Sequence, residues 1–133
     1  MITAEKFIQD DIFARHCGIE LLELAPGKAA GRMKIRKEHM NGMGIVHGGA
    51  IFSLADLVFA AASNSHQSLA MAINVSISYV KKVTGGTLTA KAEEISVNPR
   101  LGTYTVRITD EAGDTVAIFQ GMVYRKKPKM DTL

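Results

Sequence analysis

Hydrophobic and polar positions change period several times along the chain, and each change marks an element. The clearest lies between 48 and 64. From Ala50 to Ala62 only Ser53 and Asp56 are polar, so this run is apolar on every side, the pattern of a helix enclosed by other structure. It is shorter than the roughly 20 apolar residues of a membrane span and is bounded by Gly49 and Ser63-Asn64. Before it, Phe7, Ile8, Ile12 and Phe13 recur at helical spacing, which predicts an amphipathic helix over 3–16, capped by Thr3, stopped by Gly18 and lying on the core. Segments 19–24 and 29–35 flank Pro26-Gly27 and read as two strands joined by a turn, followed by a loop over 37–46.

After the central helix the period becomes two. Ile73, Val75, Ile77 and Tyr79 alternate with Asn74, Ser76 and Ser78 in a strand over 69–83. Gly85-Gly86 reads as a turn into a strand over 87–97, and Pro99-Arg100-Leu101-Gly102 connects to a strand over 104–109. Glu111-Ala112-Gly113-Asp114 turns into the last strand, over 115–124, and the tail from Arg125 reads as frayed and solvated. Helix, two strands, buried helix, four strands: this order predicts an α+β fold in which a meander-like antiparallel sheet curls around one long helix. One domain over 1–133 accounts for the length. The open sheet edges make pairing of two chains into a continuous sheet an economical way to protect them.

Composition narrows the function classes. Apolar residues are 47% of the chain, and a net charge of +3 spread among interspersed charges lacks the basic face of a nucleic-acid binder. The one cysteine, Cys17, excludes an intrachain disulfide framework and suits a reducing compartment. The opening MITAEKFIQDD has no apolar core of a secretory signal. The expectation is a cytoplasmic protein with neither nucleic acid nor membrane as partner.

Asp56 is the first chemical clue, because an ionised carboxylate buried without partners costs several kcal/mol. It either bonds a neighbouring loop or does chemistry. The second clue is His47-Gly48-Gly49 at the start of the helix, where free N–H groups meet glycines that let a ligand oxygen approach. That combination suits an oxyanion. Ser53, one turn before Asp56, reads as bonding the carbonyl four residues back and lies in no Gly-x-Ser-x-Gly elbow. Cys17 beside His16 reads as an inert thiol. His16, His39, His47 and His66 lack metal-ligand spacing, so no metal is expected.

The spacing of Asn41, His47-Gly48-Gly49 and Asp56, with Ala60-Ala61-Ala62-Ser63-Asn64, Tyr79, Gly86-Thr87-Leu88, Gly113-Asp114, Val116-Ala117 and Tyr124-Arg125, resembles hotdog-fold acyl-CoA thioesterases. The resemblance spans nearly the whole chain and is strongest to the phenylacetate-degradation (PaaI-like) type. It implies that Asp56 is the catalytic carboxylate, that Gly48 offers its N–H to the thioester oxygen, and that Asn41 and His47 complete the site. It also implies aryl- or medium-chain acyl-CoA substrates, and no cofactor besides the coenzyme A that the substrate carries. Asp56 could take a proton from water or attack the carbonyl itself. Asn41 could orient the water or the carboxylate, and His47 reads as a positioning group.

Around that centre, Gly49 adjoins the oxyanion site and Phe59 and Met71 could line an acyl pocket, with core packing as the plainer reading. Lys81, Lys82, Arg100 and the run Arg125-Lys126-Lys127 are the basic candidates for coenzyme A phosphates. Gly48 and Asp56 are eight residues apart, which is ~12 Å along one helix at about 1.5 Å per residue. One carbonyl cannot easily touch both. The site should therefore combine two chains, making a homodimer the smallest active unit, with a homotetramer as a dimer of dimers. Two other readings stay open: a hotdog hydratase or dehydratase acting on acyl thioesters, and a non-catalytic acyl-CoA-binding module.

Overall fold

The computed structural model of the chain describes residues 4–126. Two short helices, α1 (Ala4–Gln9) and α2 (Ile12–Cys17), lead into the strands β1 (Ile19–Ala25) and β2 (Lys28–Lys34). The long helix α3 (Gly48–Ser63) follows, then β3 (Ala70–Tyr79), β4 (Thr87–Val97), β5 (Leu101–Thr109) and β6 (Thr115–Arg125). All six strands join one antiparallel sheet. It curls around α3, which packs chiefly on β2, β4 and β5, so the α+β hotdog arrangement expected by resemblance is the one observed.

The sheet is not a simple meander. Its order is β1-β2-β4-β5-β6-β3, so β3 pairs with β6 at the far edge while β2 takes β4. A hairpin turn at Gly85-Gly86 would give β3 the wrong neighbour. The connection over 80–86 instead runs beside the loop that precedes α3, with Ile35 N–H donating to Gly86 O and Val46 N–H to Val83 O, both at 2.8 Å. A crossover rather than a turn results. In β3 the alternation is interrupted by a register shift between Ala72 and Asn74, and Met71, Ile73 and Val75 are exposed along an unpaired edge.

The single N-terminal helix expected over 3–16 is two helices. Asp10 and Asp11 break it: Asp11 accepts the Ala14 N–H at 2.9 Å and caps α2, the local bond that makes Asp a starter rather than a continuer of helices. The break turns Ala14 toward the core and leaves Ile12 and Phe13 exposed at 77% and 63%. Gly18 ends α2 at φ 77°, as expected of a left-handed cap. Thr3, the side chain of Phe7 and the tail over 127–133 lie outside the described residues.

Phe59 belongs to the core. It packs edge-on against Tyr104 and tilted against Phe119, with centroids 5.8 and 5.3 Å away. A methyl group on Gly121 would sit 2.6 Å from its ring, so β6 needs glycine there. Arg125 is likewise not part of a solvated tail. It closes β6, is 6% exposed, and donates through Nη2 to Ser63 O at the end of α3 (2.8 Å) and to the Tyr104 hydroxyl (3.2 Å). Tyr104 in turn donates to Glu94 Oε2 at 2.7 Å, and His66 Nε2 lies 2.6 Å from the same oxygen. This chain of groups pins the C-terminal end of α3 to the sheet.

Candidate active site

The opposite end of α3 is built by the loop 37–47. His39 is buried; its Nδ1 accepts the Arg36 N–H at 2.9 Å and its Nε2 meets Cys17 O at 2.8 Å, tying the loop to the end of α2. Asn41 shapes the next turn. Its Oδ1 accepts the N–H groups of Met43 and Ile45 at 2.9 and 3.1 Å, an Asx-type turn that leaves its amide nitrogen without a partner among the described residues. Of the Asn41 side chain, the amide nitrogen is the group left open.

His47 is the N-cap of α3, and its Nδ1 accepts the Gly49 N–H at 2.8 Å. Ala50 and Ile51 both donate to His47 O. Gly49, a candidate donor to substrate, thus has its N–H engaged, whereas the Gly48 N–H has no acceptor among the described residues. A free N–H at the positive end of a 16-residue helix is the element an oxyanion requires.

Asp56 is not buried as its apolar neighbourhood implied. Gly49 and Asp56 are exposed and Ser53 is half-buried, so these residues form one open stripe of α3, and Ser53 Oγ donates to Gly49 O at 2.7 Å as expected. The Asp56 carboxylate has no hydrogen-bond or ion-pair partner among the described residues. Desolvation by the protein around it, and then the charge of Asp11, raise its pKa above the ordinary carboxylate value. A groove of about 410 Å³ lies between α1, α2, β1 and α3; Asp11, Ile8, Ile19 and Leu57 are among its lining, and Asp56 is not.

One chain therefore gathers Asn41, His47, Gly48 and Gly49 at the helix start and places Asp56 two turns away along the same axis. The basic candidates separate. Lys81 is held by Asp110 and Asp114 at 2.6 and 2.7 Å. Lys82 is exposed and unpaired among the described residues. Arg100 sits at the far end of the sheet, donating to the Tyr124 hydroxyl at 2.9 Å. Lys127 lies outside the described residues. Burial pushes the Cys17 thiol up, the reverse of an activated nucleophile. No group of three metal-binding side chains occurs among the described residues, and no helix there is long and apolar enough to cross a membrane.

Two residues near the site have no site role in the sequence reading. Tyr79, which counts there as a strand residue and as part of the family resemblance, donates its hydroxyl to Gly48 O at 2.9 Å. Asp11 reads as the middle of a helix; the Asp10-Asp11 pair is the available start signal.

The model of the thioesterase superfamily matches residues 43–117. A provisionally named esterase of Archaeoglobus fulgidus is 45% identical over 79% of this chain and 69% of its own length. The acyl-coenzyme A thioesterase PaaI of Escherichia coli is 33% identical over 92% of this chain and 89% of its own. The solved structure of the E. coli PaaI protein, from the phenylacetic acid degradation operon, superimposes with a TM-score of 0.91, covering 96% of this chain and 93% of that one at 32% identity. A single-site variant of the phenylacetic acid degradation protein PaaI from Thermus thermophilus gives 0.84 at 36% identity, covering 87% of this chain and 100% of that one.

Proposed function

The chain belongs to the thioesterase superfamily and is a thioester hydrolase of the hotdog type, and from that premise we propose that it cleaves aryl- or medium-chain acyl-CoA to the free acid and coenzyme A. The observation that carries the reading is the unengaged Gly48 N–H at the start of α3, together with the unpaired Asp56 carboxylate on the open stripe of the same helix. Attack on a thioester carbonyl builds negative charge on oxygen. The Gly48 N–H and the helix dipole stabilise that charge, and Asp56 acts as base toward water or as nucleophile. The Asn41 amide donates to the water or to the carboxylate.

Both groups cannot come from one chain, since they lie ~12 Å apart along α3 at about 1.5 Å per residue. A second copy supplies the missing half. The exposed, apolar β3 edge is the place to pair two sheets, and antiparallel pairing there lays the Tyr79 end of one β3 beside the Ala70 end of the other. Gly48 of one chain then works with the Asp56 that its partner contributes, and Arg100 comes from the far end of the partner's sheet toward the coenzyme A phosphates, with Lys82 from the near end. A tetramer formed as a dimer of dimers is the assembly proposed. A complex in which Gly48 and Asp56 of a single chain contact one carbonyl would contradict the shared site.

The test is release of free thiol from a panel of aryl- and fatty-acyl-CoA thioesters by the native protein, Asp56→Ala and Asp56→Asn, each checked for fold and assembly. Native turnover reduced by about 10²–10⁴ or more in both variants is expected of a general base or nucleophile. Turnover that survives both removes Asp56 from the mechanism. Acyl-CoA binding without turnover would instead identify a binding module, and addition of water without thiol release a hydratase.

A further inference from the structure

Gly48 and Gly49 open α3 with two residues that carry no side chain to hold them, in the turn where the oxyanion donor must stay aimed. Consecutive glycines lose the most conformational freedom on ordering, so a preorganised first turn needs clamps from outside the helix. His47 provides one through the Gly49 N–H. The other comes from the sheet.

Tyr79 closes β3, and the strand end is fixed where it stands: the N–H groups of Val80 and Lys81 both donate to Val116 O, at 2.8 and 3.2 Å. From that anchor the Tyr79 hydroxyl donates to Gly48 O at 2.9 Å. Its ring also lies on the glycine, since a methyl group built on Gly48 would be 3.1 Å from Cζ and 3.2 Å from the hydroxyl oxygen. Burial raises the phenol pKa, so the O–H remains a donor at neutral pH. The hydroxyl bonds the Gly48 carbonyl, and the Gly48 N–H on the other side of the same residue is left open.

We infer that Tyr79 is a positioning residue of the thioester site, holding the first turn of α3 through the Gly48 carbonyl so that the Gly48 N–H points where the oxyanion forms. The inference rests on the thioesterase reading for its role in catalysis, but the clamp itself does not. Tyr79 is the last residue of the edge strand at which two chains are proposed to meet, so it also links that edge to the oxyanion donor. Transition-state stabilisation of this type depends on donors already in place. Loosening the clamp should therefore lower kcat and leave substrate binding alone.

Tyr79→Phe keeps the ring and the strand residue and removes the one bond. Two readouts are taken on the assembled protein: kcat and KM on the acyl-CoA thioester turned over fastest, and amide hydrogen exchange without substrate at Gly49, Ala50 and Ile51, the first-turn amides that are hydrogen-bonded to His47. The expected result is faster exchange at these amides, a several-fold to about tenfold fall in kcat on the scale of one hydrogen bond, and a KM within about twofold of native. Exchange at the native rate overturns the clamp whatever happens to kcat, because any rate loss then belongs to a hydroxyl that touches substrate. Faster exchange with native kcat overturns the catalytic role. A native protein that turns over no thioester sinks the functional reading instead, and the exchange rates still decide the clamp.

Discussion

The two ends of α3 carry comparable numbers of polar groups and use them in opposite ways. At the C-terminal end Arg125, Tyr104, Glu94 and His66 are joined to one another and to Ser63 O by contacts of 2.6 to 3.2 Å. At the N-terminal end the Gly48 N–H and the Asn41 amide nitrogen, and along the open stripe that leads from it to mid-helix the Asp56 carboxylate, are left without partners among the described residues. Groups that answer each other stabilise a fold, while groups left open are available to a ligand or a second chain. The contrast makes a prediction at each end: substitutions at the C-terminal end should cost stability, and those at the N-terminal end should cost chemistry.

The largest effect on stability is expected from Arg125→Ala. The side chain is 6% exposed, and its removal deletes the bonds to Ser63 O and Tyr104 and leaves the Glu94 charge without its nearby guanidinium. Breaking such a buried charged cluster costs about 3–5 kcal/mol, read as a drop in the denaturant midpoint with unchanged slope. Nε and Nη1 of Arg125 are buried without partners among the described residues, so a Met at this position, apolar and of similar length, should recover part of the loss. The pH dependence has a definite sign. Burial pushes the Glu94 carboxyl up, but hydrogen bonds from Tyr104 and His66 and the charges of His66 and Arg125 outweigh it and hold the pKa below the usual 4.5. The stability this contributes is present above 4.5 and is lost as pH falls through the lowered value. Tyr104, with its pKa pushed up to about 12 by burial and by Glu94, adds stability that is lost as pH rises from 10 through that value.

How much of this is legible follows from whether a feature is local. The buried helix, the strand segments and the Gly18 cap read directly, because period and capping depend on neighbours in sequence. His47-Gly48-Gly49 reads as a helix start with free donors for the same reason. The β3 crossover does not, since Gly85-Gly86 looks the same in a hairpin and in a connection that runs back past the loop before α3. Arg125 reads as tail because it stands beside Lys126 and Lys127, and only the sheet brings it to Ser63 and Tyr104, 62 and 21 residues away. Asp56 reads as buried because every neighbour in sequence is apolar. The open stripe of α3 exists because the sheet of one chain does not close around it, and no residue in the helix records that.

A smaller effect of opposite sign should appear at Asp56. Desolvation first, and Asp11 second, raise its folded-state pKa above 3.8. Ionising it therefore works against the fold: stability is highest below the ordinary carboxylate value and declines as pH rises through the raised one. Asp56→Asn removes that decline. The variant should match the native protein in acid and be slightly more stable at neutral pH, by about 0.5 kcal/mol, the scale of an open surface position, while losing its turnover. Paired denaturation curves at acid and neutral pH check this. A native protein more stable than Asp56→Asn at neutral pH would mean that the carboxylate has a stabilising partner in the assembled protein, and the contrast between the two ends would weaken.

The finest test asks whether the open stripe is tuned from outside α3. Asp11 accepts the Ala14 N–H to cap α2, and its charge is the second cause of the raised Asp56 pKa. Asp11→Asn separates those functions, because Asn caps a helix about as well as Asp but carries no charge. If Asp56 works ionised, as base or nucleophile, kcat/KM rises with pH through its pKa. Removing the Asp11 charge should move that acid limb to lower pH and leave the plateau rate and the thermal midpoint unchanged. The limb should stay above the ordinary carboxylate range, because desolvation by the surrounding protein is the larger cause and remains. The displacement should also shrink with added salt, since an interaction between partly exposed charges is screened. A limb that stays in place at low salt would assign the whole shift to desolvation. The N-terminal helices would then serve this site by the surface they cover and not by the charge they bring.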